Sequence, residues 1–334
     1  MTAMARSQNG TLSASDIGGG AILLEIGAEY GVIDSLHRGE AVDAGDAAKR
    51  VGIPREVMHR YLATLERLGL VTGAGDTSPA HVRATPKLGE LAHEVGYVTW
   101  GFRACEPLIA HAREFAADMG KAQGRYPRDG GLIARAAQWM GEEGFYPQTE
   151  RAILARKPTR IVDIGCGSGR LLVKCLTQLR EATGVGIDLN AKACAQARAA
   201  AAAAGVQDRL TILERSEESL PDDPQPLIGA DVIHAAWALH DLLPDAEATL
   251  DRLLATCATA AANTTLVIGE AVPYAQGADE AMFSAAFTFL HENFMGRQFL
   301  SEAAWKTKLQ KAGFSKIDVE KFAWPGGRLY VATR

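Results

Sequence analysis

Residues 160–172 read Arg-Ile-Val-Asp-Ile-Gly-Cys-Gly-Ser-Gly-Arg-Leu-Leu, and this order decides the architecture of the second half of the chain. Ile161, Val162 and Ile164 form a short apolar run bounded by Pro158 and Gly165, the pattern of a buried strand. Gly165, Gly167 and Gly169 allow a tight turn, and the periodic apolar residues from Leu171 to Leu179 predict a helix. Strand, glycine loop and helix N-terminus together bring backbone N–H groups to a ligand without side-chain interference. Alone, the Gly-x-Gly-x-Gly spacing fits a plain strand-to-helix turn equally well. A second strand, within Gly184-Val-Gly-Ile-Asp-Leu-Asn190, ends in Asp188 about twenty residues on, where an acid can accept both hydroxyls of a ribose.

A dinucleotide site uses Gly-x-Gly-x-x-Gly, whose third glycine packs helix against strand around a pyrophosphate. Here the spacing is tighter, and Asp163 stands two residues before the loop. An acid facing the loop repels a pyrophosphate and attracts a cationic or amine-bearing ligand. The pair Asp163-x-Gly165-x-Gly167-x-Gly169 and Asp188 resembles the class I S-adenosylmethionine-dependent methyltransferases. That resemblance covers residues 151–334 and implies a Rossmann-like α/β sheet. It further implies that the glycine loop wraps the amino-acid end of S-adenosylmethionine, while Asp188, with Leu189 beside it, meets the nucleoside.

Composition bounds the rest. A chain of 334 residues accommodates two domains, and 47% hydrophobic with 22% charged residues is ordinary for a soluble protein with a real core. A net charge of -5 argues against general affinity for nucleic acid. Cys105, Cys166, Cys175, Cys194 and Cys257 are odd in number and lack C-x-x-C spacing, so they read as free thiols of a reducing cytosol. No signal peptide and no membrane-spanning run is legible, and a cytoplasmic location is expected.

Residues 1–13 are small and polar and read as a disordered lead. From Ser15 an apolar pattern interrupted by Gly18-Gly-Gly20 predicts one or two helices ending near Gly39. Asp43 to Val71 reads as helix-turn-helix around Gly52-Ile53-Pro54, with Leu70-Val71 and His81–Ala84 as two strands of a wing. The second of these helices balances His59, Arg60 and Arg67 against Glu56 and Glu66, which does not make a basic reading head. Residues 14–95 are therefore read as a packing or dimerisation module. The winged-helix domain of small-molecule O-methyltransferases, which this segment resembles, implies a homodimer. Residues 96–150 are mostly helical by periodicity and read as a linker and substrate lid. Within them Arg125-Tyr-Pro-Arg128-Asp129 is either a solvated turn with an ion pair or a carboxylate anchor, since a guanidinium holds a carboxylate by two parallel hydrogen bonds.

Leu210–Leu213 reads as the third strand of the sheet. The family places an Asp shortly after it to meet the adenine amino group, whereas this chain has Arg215-Ser216-Glu217, leaving Ser216 or Glu217 for that contact. Gly229–His234 opens the fourth strand and Leu266–Glu270 is the fifth, so His240 and Asp241 follow a strand end, where ligands of open α/β sheets bind. Two strands, Phe314–Phe322 and Gly327–Thr333, resemble the antiparallel edge that closes the methyltransferase fold.

Ala-Leu-His240-Asp-Leu resembles the His-Asp segment of small-molecule O-methyltransferases, whose His deprotonates a phenol. A narrower set, His240-Asp241, Arg125-Tyr-Pro-Arg128-Asp and Phe287-Thr-Phe-Leu-His-Glu-Asn-Phe-Met295-Gly, resembles the 2-oxo-acid C-methyltransferases of peptide-antibiotic biosynthesis. That likeness implies methylation of the carbon beside a ketone, with Arg128 anchoring the substrate carboxylate. A saturated carbon becomes a nucleophile only as an enol or enolate, which a chelated metal ion (Zn or Fe) stabilises. His240 with His291 or Glu292 would supply its sparse protein ligands. The rival readings are O-methylation with His240 as plain general base, and a winged-helix regulator that senses the cofactor.

Overall fold

The computed structural model describes residues 12–73 and 81–334. The lead expected over 1–13 lies, but for its last two residues, outside them. The chain divides into two compact units. The first takes the residues up to Ala110 together with Pro127–Glu143, and the second takes His111–Tyr126 together with Gly144–Arg334. The stretch 96–150 is thus shared between the units, and the boundary cuts the Arg125–Asp129 motif between Tyr126 and Pro127.

In the first unit a helix over Ala14–Glu29 begins at a capping box, Ser13 Oγ accepting from Asp16 N while the Asp16 carboxylate accepts from Ser13 N. The helix runs unbroken through the three glycines. Gly27 explains part of that composition, since a Cβ there would stand 1.9 Å from the Tyr61 hydroxyl oxygen. Asp43 caps a helix over Ala44–Val51, Gly52 ends it in the left-handed region at φ 70°, and Arg55–Arg67 follows. That second helix turns Met58, Tyr61, Leu62 and Leu65 into the core with Leu24, Ile33 and Leu36. Strands β1 (Val42–Asp43), β2 (Val71–Thr72) and β3 (His81–Ala84) form a small antiparallel sheet in the order β1-β3-β2. Helices lie on both sides of Gly52-Ile53-Pro54 and short strands fall at or beside both expected positions, with β1 in addition.

The second unit is built on a seven-stranded sheet of β4 (Arg160–Ile164), β5 (Thr183–Asp188), β6 (Leu210–Glu214), β7 (Val232–Ala236), β8 (Thr265–Ala271), β9 (Lys316–Lys321) and β10 (Gly327–Thr333). Their spatial order is β6-β5-β4-β7-β8-β10-β9, with β10 antiparallel to both neighbours. The expected Rossmann-like sheet with an antiparallel edge is observed. The pleat sends Val162, Ile164, Ile233, Ala235, Leu266 and Ile268 into a core with Leu253, Leu254, Trp305 and Leu309. The alternate positions of the two central strands, among them Asp163 and His234, belong to the opposite face. Strand order reverses between β4 and β7, so the crevice at their carboxyl ends is the place for a ligand. Among the described residues no helix is long and apolar enough to cross a membrane.

Candidate active site

The loop after β4 is shaped by its glycines, with φ of 72° at Gly165, 53° at Gly167 and 70° at Gly169. A Cβ at Gly165 would lie 2.6 Å from the Ala238 Cβ, and one at Gly169 would lie 2.9 Å from the Ala197 Cβ. These two glycines are fixed by close packing. Gly167 differs, for a Cβ there would meet nothing within 4 Å, and its backbone borders open space. Asp188 ends β5 with one carboxylate oxygen accepting from Gly167 N at 2.8 Å and the other from Asn190 N at 2.8 Å. Loop and acid are therefore one hydrogen-bonded unit. Leu189 projects beside it, 67% exposed. Asp163 is buried at the end of β4, and its Oδ1 lies 2.6 Å from His234 Nδ1 on β7.

Beyond β6, Ser216 caps a short 3-10 turn, its Oγ accepting from Glu218 N. Glu217 is half-buried, and burial, with the charges of Asp241, Glu218 and Asp188 adding to it, raises its carboxyl above the ordinary range. Of the two residues expected at the adenine, Glu217 shares a field with Asp188, while the Ser216 hydroxyl serves the turn.

On the acceptor side, β7 ends at Ala236 and a 3-10 turn over Leu239–Leu242 carries His240. Its Nδ1 lies 2.9 Å from Glu270 Oε2 on β8. Glu270 is fully buried, and its Oε1 also accepts from the backbone N–H groups of Leu239 (2.9 Å) and His240 (3.2 Å). One carboxylate thus fixes both the turn and the ring. Burial by itself lowers the His240 pKa, but the charge and hydrogen bond of Glu270 outweigh it and hold the ring above its ordinary value, with Asp241 adding and Arg297 opposing. The sequence did not single out Glu270 as functional, although it closes the run Leu266-Val-Ile-Gly-Glu270 expected as the fifth strand.

His291 opens a π-helical turn, His291–Met295, that continues the helix Ala281–Leu290. The imidazoles of His240 and His291 stand edge to face with ring centroids 5.6 Å apart. Phe299 lies against both, at 5.1 Å from His240 and 4.9 Å from His291, and Phe287 packs 4.1 Å from His291. Nδ1 of His291 lies 2.8 Å from the Phe287 carbonyl oxygen. Glu292 instead accepts from the Tyr274 hydroxyl at 3.0 Å. Asp241 accepts from Arg297 Nε at 3.1 Å, and its Oδ1 is 4.0 Å from His240 Nε2. Among the described residues no group of three or more His, Cys, Asp and Glu side chains forms a metal cage.

Arg128 belongs to the first unit, where it lies beside the buried Cys105 thiol and partly offsets the upward push of burial on it. Asp129 does not pair with an arginine. Its carboxylate accepts from Gly131 N and Leu132 N at the start of the helix Gly130–Gly144.

Residues 162–261 match the sequence profile described as "Methyltransferase domain". Several solved structures share the fold over nearly the whole chain. The pyocyanin biosynthetic protein PhzM is 20% identical with a TM-score of 0.56, 95% of this chain and 96% of that one being covered. The mitomycin 7-O-methyltransferase MmcR is 19% identical with a TM-score of 0.52, covering 95% and 94%. Human N-acetylserotonin methyltransferase, solved with S-adenosylmethionine, is 17% identical with a TM-score of 0.54, covering 94% and 93%. The chain therefore has the class I S-adenosylmethionine-dependent methyltransferase fold, with a methyltransferase domain at its centre.

Proposed function

We propose that the protein transfers the methyl group of S-adenosylmethionine to the carbon beside the ketone of a 2-oxo acid. The pairing of His240 with His291 carries this reading. Each imidazole has Nδ1 against an acceptor, a carboxylate for one and a backbone carbonyl for the other, the outer contacts that orient metal-binding histidines. Two such rings suit a sparse metal site whose remaining positions belong to the keto and carboxylate oxygens of the substrate. A zinc or iron ion held there would supply charge stabilisation to the developing enolate. In this reading His240, whose Nδ1 is held by Glu270, would present Nε2 to that ion as a ligand. Phe287 and Phe299 keep water from these rings and favour an apolar side chain on the acceptor. Arg128 enters as carboxylate anchor on sequence grounds. S-adenosylmethionine supplies a methyl group on a sulfonium centre, and Asp188 suits its ribose, with Leu189 and Glu217 toward the adenine.

A second reading, O-methylation of a phenol, is favoured by the His240–Glu270 pair, which needs no metal to act as a base. The experiment is to incubate purified enzyme with a strong chelator and follow product by mass spectrometry over a panel of 2-oxo acids and phenols. The C-methylation reading expects a 3-methyl-2-oxo acid whose formation stops on chelation and returns with added metal. A methyl ether formed equally well in chelator would overturn it. The first unit is proposed as the dimer contact, since Ile22 and Ile26 expose apolar side chains one turn apart on its first helix. A light-scattering mass of one chain would count against that assignment.

A further inference from the structure

Asp163 and His234 are register partners on the adjacent parallel strands β4 and β7, and both are buried. Their side chains meet at 2.6 Å, while His234 Nε2 is buried without a partner among the described residues. The ring nitrogen Nδ1 donates to the Asp163 carboxyl group two residues before the glycine loop. No lysine or arginine pairs with Asp163 among the described residues, so His234 is what orients it. The Cys166 and Cys175 thiols are pushed up, first by burial and then with Asp163 contributing.

We infer that His234 is a positioning residue of the cofactor site, which holds the Asp163 side chain oriented toward the cationic amino-acid end of the bound nucleoside. The inference rests on the S-adenosylmethionine reading and deepens it. Sequence reading took His234 as a strand residue, and its role follows from the 2.6 Å contact across β4 and β7.

The test is calorimetry on the full chain with S-adenosylmethionine and with 5′-methylthioadenosine, a thioether of the same nucleoside without the amino-acid end. In His234→Asn the amide nitrogen takes the place of Nδ1, whereas His234→Phe and His234→Leu have no donor. His234→Phe is expected to weaken S-adenosylmethionine binding by about tenfold or more, as loss of a hydrogen bond to a charged group does. It should leave 5′-methylthioadenosine affinity near wild type, and His234→Asn should remain within about threefold of wild type for both ligands. Should the Phe variant fail to fold, His234→Leu carries the same expectation. Unchanged S-adenosylmethionine binding in the donor-less variants would overturn the inference, as would equal loss of both ligands or an Asn variant as weak as the others. A wild-type chain that binds 5′-methylthioadenosine but not S-adenosylmethionine would overturn it too. A wild-type chain that binds neither ligand would overturn the cofactor reading itself, and the inference with it.

Discussion

The proposed cofactor cradle and the proposed acceptor site lie at the carboxyl ends of strands in one sheet, yet they are built by different means. The cradle is mostly backbone, with three left-handed glycines, two of them packed against Ala238 and Ala197, and an acid on the next strand tied to the loop through Gly167 N. The acceptor site is mostly side chain. His240 from a turn, Glu270 from β8 and His291 from a π-helical turn converge in an aromatic surround. Substrate type changes between enzymes that share a cofactor. A backbone cradle therefore suits the constant part of the reaction and a side-chain pocket the variable part.

If the two regions are separable, removing the central acceptor residue should stop chemistry and spare the cofactor. His240→Ala is expected to lower kcat by about 10²–10⁴-fold, the usual contribution of a positioned acid or base, with S-adenosylmethionine affinity unchanged by calorimetry. A large loss of affinity would break the separation. The reverse experiment is Asp188→Ala, which removes the acceptor for Gly167 N and the proposed ribose ligand. Affinity should fall by about tenfold to a hundredfold, with kcat at saturating cofactor much less affected. A smaller effect sharpens the acceptor side. His240 is held above its ordinary value of 6.5, and it acts in its neutral form, so activity should rise with pH through a midpoint above that value. Glu270→Gln keeps the shape and removes the charge, so the midpoint should move to lower pH while kcat falls by about tenfold. The sign for stability runs oppositely. A ring with a raised folded pKa stabilises the protein most below its unfolded pKa, and that gain is lost as pH rises through the folded pKa. An unmoved midpoint in Glu270→Gln would detach the buried acid from the ring.

Legibility in the sequence follows the same division. The cradle could be read because each part is local: an apolar run, glycines at fixed spacing, and an acid at the end of the next run. The sheet order and antiparallel edge came with the resemblance that those residues carry. Of the residues proposed for the acceptor, His240 and Asp241 were legible from their place after a strand end, and His291 and Glu292 only from the resemblance. Glu270 is 30 residues from His240 in sequence and reads there as the end of a buried strand. His291 and Glu292 are adjacent in sequence, and only tertiary packing separates them, His291 against His240 and Phe299, Glu292 at the Tyr274 hydroxyl. The Arg125–Asp129 motif reads as one turn, but the boundary between compact units passes through it, and a one-dimensional pattern holds no sign of that.

The most direct measurement is calorimetric titration of the wild-type chain with S-adenosylmethionine, its demethylated product and NAD. Asp163, the three glycines and Asp188 predict saturable heat at one site per chain with the first two and none with NAD. Silence with both sulfur nucleosides alongside clear uptake of NAD would contradict the account at its base.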